Sequence, residues 1–459
     1  MVSPRTPRQA VSHRWAPVAA PVLALLALLQ LTAGVVTAVA LDEPPAPPAP
    51  AAFRARAVPP ADNGPVDARD RTAAVQRLLA DRSAAVLARD RAGFLATVDP
   101  AATELRARQA ALFDALGQVP LASWDYVLTP DATRPPDSRL DGRYGGADRW
   151  WAPEVSLRYA LEGFDTRPTS VAHGLTFVRR GGSWLLGADD DFAAVGHPTP
   201  RALWDRGPVL AVRARGTLVL GHPESAGLLR DVARDAAEAI PRVSAVWGAA
   251  WQRSVVVVVP RDTAELAGLL GSDGDLSRLA AIATAELAGK DFDPAGDRVL
   301  INPGPFSTLS ALGRRVVLTH ELSHVATRRA TGPAVPVWLA EGLADTIAYR
   351  GVDLPLAVSA PELRAEVRAG RLPASLPGDQ DFAGANPRLA QAYEQAWLAV
   401  RLLAERHGDA RLLAFYRAVG AARDVDAEQA VRTALQTELG TTPEALLAEW
   451  RASLRRRLG

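Results

Sequence analysis

Residues 320–324 read His-Glu-Leu-Ser-His, and no other feature constrains the fold of this chain as much. Two histidines four positions apart share a face only in a helix. The flanks agree with that. Val316, Val317, Leu318, Leu322 and Val325 recur as the buried wall of a helix starting near Leu309. Such a pair, His320 and His324, can hold one Zn²⁺ with roughly 2.0–2.1 Å to each nitrogen. Glu321 lies about 100° around the helix. That is too far round for a third equivalent ligand, and well placed to take a proton from water on the metal. The 459 residues include no cysteine. Thiolate sites, disulfides and thiol nucleophiles are excluded, so any metal must use His, Asp or Glu.

A third ligand is needed, with a fourth position left open. Downstream stands Trp338-Leu339-Ala340-Glu341-Gly342-Leu343-Ala344-Asp345, after a turn marked by Gly332, Pro333 and Pro336. Two helices joined by that turn can bring Glu341 opposite the histidines. Asp345, one turn on, shares its face and could accept the Nδ1–H of His320 or His324, fixing the tautomer.

The two segments together, HELSH followed by WLAEGLAD, resemble the gluzincin metallopeptidases, in particular the peptidase MA-like domains of bacterial envelope proteins. The likeness spans roughly the last 250 residues. It implies His320, His324 and Glu341 as zinc ligands, Glu321 as general base and Asp345 as the carboxylate that orients a ligand histidine. It also implies a peptide or protein substrate. Sixteen residues separate His324 from Glu341, slightly fewer than in thermolysin or the aminopeptidases. No G-x-M-E-N loop is present, so aminopeptidase specificity is not implied. By analogy, Tyr393 is the candidate donor to the oxyanion, with Tyr349 behind it; core packing is the alternative for both. Residues 298–302 are the strand considered for pairing with an extended peptide.

The amino end addresses location. Arg5, Arg8 and Arg14 precede an uncharged run from Trp15 to Leu41, densest at VLALLALLQL. The run is long enough to cross a bilayer, and the arginines hold the amino end inside. Residues 1–41 are expected to be a signal anchor at the cell membrane, or a signal peptide cleaved after Ala40, leaving a secreted protein. Residues 42–66 form a Pro-rich linker around PPAPPAPA, stiff and extended. A net charge of +1 argues against a nucleic-acid partner. Arginine far outnumbers lysine, Lys290 being the sole one, as expected of high-GC coding.

Residues 67–200 read as a small α+β domain. Residues 67–95 carry one helical stripe and residues 101–116 a second. Strands follow at 124–128, 155–161, 174–179 and 183–186, with Gly181-Gly182 as a hairpin turn. This order resembles the cystatin-like cone of nuclear-transport-factor-like domains, in topology alone. Asp189, Asp190 and Asp191 read as solvated loop or a cation site. Trp150 and Trp151 read as packing or a sugar platform. His173, His197 and His222 have no partner at ligand spacing, and His407 marks a helix end.

Residues 201–459 are expected to be the metallopeptidase-like domain, a small sheet followed by a mainly helical lobe. The chain as a whole is expected to be α+β. Two functions stay open: a membrane-tethered, extracytoplasmic zinc endopeptidase, or a non-catalytic envelope protein binding peptide or ligand through a decayed cleft and the cone.

Overall fold

The computed structural model describes residues 67–134, 137–146, 148–272, 274–288, 293–384 and 386–459. The proposed anchor and linker lie outside them, and no described helix is long and apolar enough to cross a membrane.

The first stripe breaks into two helices, α1 (Ala68–Leu87) and α2 (Arg91–Ala96). The single helix expected over residues 67–95 is therefore corrected. Arg89 takes a left-handed φ of 57°, which no helix tolerates. Its guanidinium donates to the Leu116 and Val119 carbonyls at 2.7 and 2.9 Å. Asp90 then caps α2 by accepting from the Gly93 N–H. After α3 (Thr103–Ala115) come β1 (Leu121–Thr133), α4 (Ser138–Tyr144), β2 (Trp150–Trp151), β3 (Pro153–Leu161), β4 (Thr169–His173), β5 (Thr176–Arg180) and β6 (Ser183–Ala188). They build two three-stranded antiparallel sheets, β1-β3-β4 and β2-β5-β6. Gly181 and Gly182 turn the last hairpin with φ of 55° and 85°, the pair of positive values a two-residue turn requires.

Of the acidic run at the end of β6 only Asp190 is exposed to solvent. Asp189 and Asp191 are buried. Asp189 accepts from Arg108 and Arg201, each at 2.8 Å, and Asp191 from Arg143 and Tyr144. Arginines occupy the place a cation would have taken.

A five-stranded sheet follows, in the order β10-β11-β9-β8-β7. Its strands are β7 (Leu210–Ala214), β8 (Thr217–Gly221), β9 (Val255–Val259), β10 (Ala281–Ala288) and β11 (Asp293–Ile301). β9 runs parallel to both neighbours, and the two ends are antiparallel hairpin pairs. The valine run of β9 shows why the sheet is central. Successive residues face opposite sides. Val255, Val257 and Val259 pack with α5 (Ala226–Trp247), while Val256 joins Leu218 and Leu220 against Trp124 and Leu157 of the first sheet. Both faces are covered, which is what an unbroken apolar strand demands. Arg298 of β11 donates to Asp165 with two bonds of 2.7 Å, a buried bridge between the two regions.

The helices that remain are α6 (Thr263–Leu270), α7 (Pro303–Ser307), α8 (Ala311–Thr327), α9 (Val337–Ala348), α10 (Leu356–Ser359), α11 (Pro361–Arg368), α12 (Leu389–Ala421), α13 (Ala427–Ala434) and α14 (Pro443–Leu458). α12 bends at Gly408, whose φ is 78°. α6 had no counterpart in the sequence reading. Its Glu265 meets His222, which is fully buried: the ring nitrogens lie 2.9 Å from Glu265 and 2.8 Å from the Pro208 carbonyl. That loop histidine is a structural pin.

His173, at the end of β4, is pushed down to about 4 by burial and by Arg201 and Arg82. Unfolded, it titrates near 6.5. The unfolded chain therefore binds the proton first, and stability is lost as pH falls from about 6.5 toward 4, by about 1–2 kcal/mol at pH 5. His173→Gln is expected to narrow the Tm difference between pH 7 and pH 5. An unchanged difference would exclude His173 as the source.

Candidate metal centre

Ser310 caps α8, accepting from the Gly313 N–H at 3.1 Å. The apolar wall read in the sequence turns inward: Val317, Leu318 and Leu322 are buried in the core with α5 and α9, Val316 is buried too, and Val325 is partly so. α8 thereby carries His320 and His324 on a face that meets α9. The turn at residues 328–336 reverses the chain, and α9 starts after Pro336 with Trp338 and Leu339 in the core. Glu341, in the second turn of α9, projects toward the histidines.

Three atoms converge. The Nε2 atoms of His320 and His324 are 3.0 Å apart, and Glu341 Oε2 lies 3.1 and 3.3 Å from them. His320 Nδ1 lies 2.8 Å from Asp345 Oδ1. A carboxylate can only accept, so Nδ1 carries the proton, and in the neutral ring this leaves the Nε2 lone pair directed inward. Glu341 Oε2 is buried and has no hydrogen-bond partner among the described residues. Three acceptors this close repel one another unless a proton or a metal cation sits among them. A tetrahedral centre with bonds of ~2.0–2.1 Å spaces its ligand atoms by about 3.3 Å, close to the triangle observed. These residues, a described cluster able to hold a metal, fit a divalent ion of the zinc type. The site opens on one side, the side chains of His324 and Glu341 being 20% and 16% exposed against 3% for His320.

The charges follow from burial and neighbours. Burial alone would lower His320; Asp345 and Glu341 outweigh it and hold the imidazole well above its usual value. Burial would raise Glu341, but His324 and His320 hold it well below the carboxylate range. Glu321 is raised, chiefly by burial and further by Glu341, against the pull of His320 and His324. The backbone N–H of Ala283 on β10 is near enough to pull it down in turn. That neighbour was absent from the sequence reading, because nothing in residues 281–288 signals which backbone N–H faces α8.

The strand considered for peptide pairing is corrected. β11, which contains most of residues 298–302, has β10 on one side and β9 on the other, leaving no free edge. β10 is the edge strand on that side, and α8 packs on it.

Tyr393, on α12, is buried, with its ring edge-on to Phe382 at 5.3 Å. Its hydroxyl is held well above its usual pKa by burial, then by Glu341, Asp345 and Glu321. It lies in the field of the site and makes no hydrogen bond to another described residue. Tyr349 instead stacks on Trp397 at 4.5 Å. Trp150 and Trp151 are buried in packing.

The described residues thus define an α+β protein with a helical His-His-Glu cluster beside a sheet edge. Among solved structures the chain is similar to a two-domain M1 zinc metallopeptidase mutant bound to L-arginine (18% identity, 53% of this chain and 52% of that one, TM-score 0.31). It is also similar to M1 zinc metallopeptidase mutants from Deinococcus radiodurans. One has 17% identity, coverage of 53% and 52% and a TM-score of 0.31; the other, bound to a Tyr-Ser-Ala substrate, has 16%, 55% and 52%, and 0.28. The chain spans about half the length of these structures. No family model matches it, and no curated protein does.

Proposed function

We propose that this chain is a zinc-dependent metallopeptidase acting outside the cytoplasm, held at the membrane by residues 15–41. The observation that carries the reading is the triangle of His320 Nε2, His324 Nε2 and Glu341 Oε2, with edges of 3.0–3.3 Å, beside a buried carboxylate that is not part of it. Zinc bound by these three residues supplies a Lewis acid that polarises the scissile carbonyl and acidifies water.

The protein's own groups do the remainder. Glu321, raised by burial, takes the proton of the attacking water and returns it to the leaving amine. That carboxylate is buried where α8 packs on β10. Asp345 keeps the Nδ1 proton on His320, so Nε2 stays free to coordinate. The free edge of β10 offers backbone groups to an extended substrate, which favours endopeptidase action. Tyr393 is the candidate donor to the oxyanion.

The test is element analysis of the full chain with hydrolysis of a mixed peptide library. About one zinc per chain is expected, with cleavage lost on chelation and restored by zinc. His320→Ala should remove both. No zinc and no chelator-sensitive cleavage would overturn the reading and leave a non-catalytic envelope binding protein.

A further inference from the structure

A second feature lies on the other face of the five-stranded sheet. Between that face and the β1-β3-β4 sheet is a cavity of about 340 Å³, and none of His320, Glu321, His324, Glu341 or Asp345 lines it. Its wall is apolar and aromatic. The rings of Trp124, Tyr159 and Trp204 stand 5.2–6.1 Å apart, and Leu157, Leu220 and Leu300 close the sides.

One charged group is out of keeping with that wall. Arg82 of α1 is 3% exposed and faces the cavity. Its guanidinium donates to the Tyr126 hydroxyl at 3.2 Å, to Thr97 Oγ1 at 3.0 Å and to Gln109 Oε1. All three partners are neutral. Asp189, Arg201 and Arg298 on the wall have ion-pair partners. Asp189 is shared by Arg108 and Arg201, and Arg298 is doubly bonded to Asp165. Asp205 accepts the Ala202 N–H at 2.9 Å and is pushed up to about 6 by burial. Gln109 links Arg82 to Asp189, accepting from the first and donating to the second at 3.2 Å. Among the described residues Arg82 makes no ion pair. A buried charge lacking a counter-charge is costly, and an anion entering the cavity would supply one. Planar guanidinium is matched to carboxylate. The volume and lining are those of a small-molecule site, mostly apolar with few polar anchors.

We propose that this cavity binds a small carboxylate with an apolar body, the acid on Arg82 and the body among the rings and leucines. The site does not depend on the peptidase reading, and its test does not use proteolysis.

Three probes of one shape and different charge decide it: octanoate, octan-1-ol and octylamine, titrated calorimetrically into the full chain. Octanoate is expected to bind once per chain, at least roughly tenfold tighter than the other two. Arg82→Gln should remove that preference and leave octan-1-ol unchanged. Val171→Trp, on the wall, should block octanoate and octan-1-ol alike. The proposal fails if the three probes bind equally, if octylamine binds best, if Arg82→Gln keeps the preference, or if Val171→Trp leaves octanoate binding intact. Should Arg82→Gln not fold, the three-probe comparison on the unaltered chain still gives the answer.

Discussion

Glu321→Gln is expected to lower peptide hydrolysis by roughly 10²–10⁴-fold while the zinc content stays at that of the unaltered chain. The two side chains have the same shape. The amide can take the same buried place between α8 and β10. What is lost is the ability to take a proton. Zinc should stay because Glu321 stands outside the His320–His324–Glu341 triangle. Turnover and metal content measured on one preparation separate the two roles. Undiminished turnover would mean that the base lies elsewhere. Loss of zinc would mean that Glu321 belongs to the ligand set.

The second large effect falls on Gly342, beside Glu341. A Cβ there would come within 2.5 Å of the Ala396 carbonyl oxygen and 2.6 Å of Val400 Cγ2, both on α12. The first is backbone and cannot swing away. Gly342→Ala is therefore expected to push α9 off α12, at about 1–3 kcal/mol or more. The shift carries Glu341 with it, so zinc retention during dialysis should fall as well. Helix propensity alone predicts the opposite, a gain of about 1 kcal/mol from replacing glycine inside a helix. The sign of the Tm change decides between them. A rise would refute the close α9–α12 approach described here.

Local features were legible where a short-range rule acts. The α8 helix, its apolar wall and the α9 start after Pro336 follow from period and punctuation. The β5–β6 hairpin follows from Gly181-Gly182. The break at Arg89 was missed because the apolar stripe continues through it, Phe94 and Leu95 staying buried although the backbone has turned. The burial of Asp189 was missed for a different reason. An acidic run looks solvated until its arginines are known, and Arg108 lies 81 residues away.

The order of residues by itself determined which side chains could meet a metal, since a helix places positions four apart on one face and a proline turn sends the next helix back. It also determined that β9 must be covered on both sides. Which strand became the edge beside α8, which acids each arginine holds, and that Arg82 is buried at a cavity wall without an ion pair were decided only by the tertiary structure. Those outcomes depend on contacts between residues tens of positions apart, and no local period or spacing encodes them.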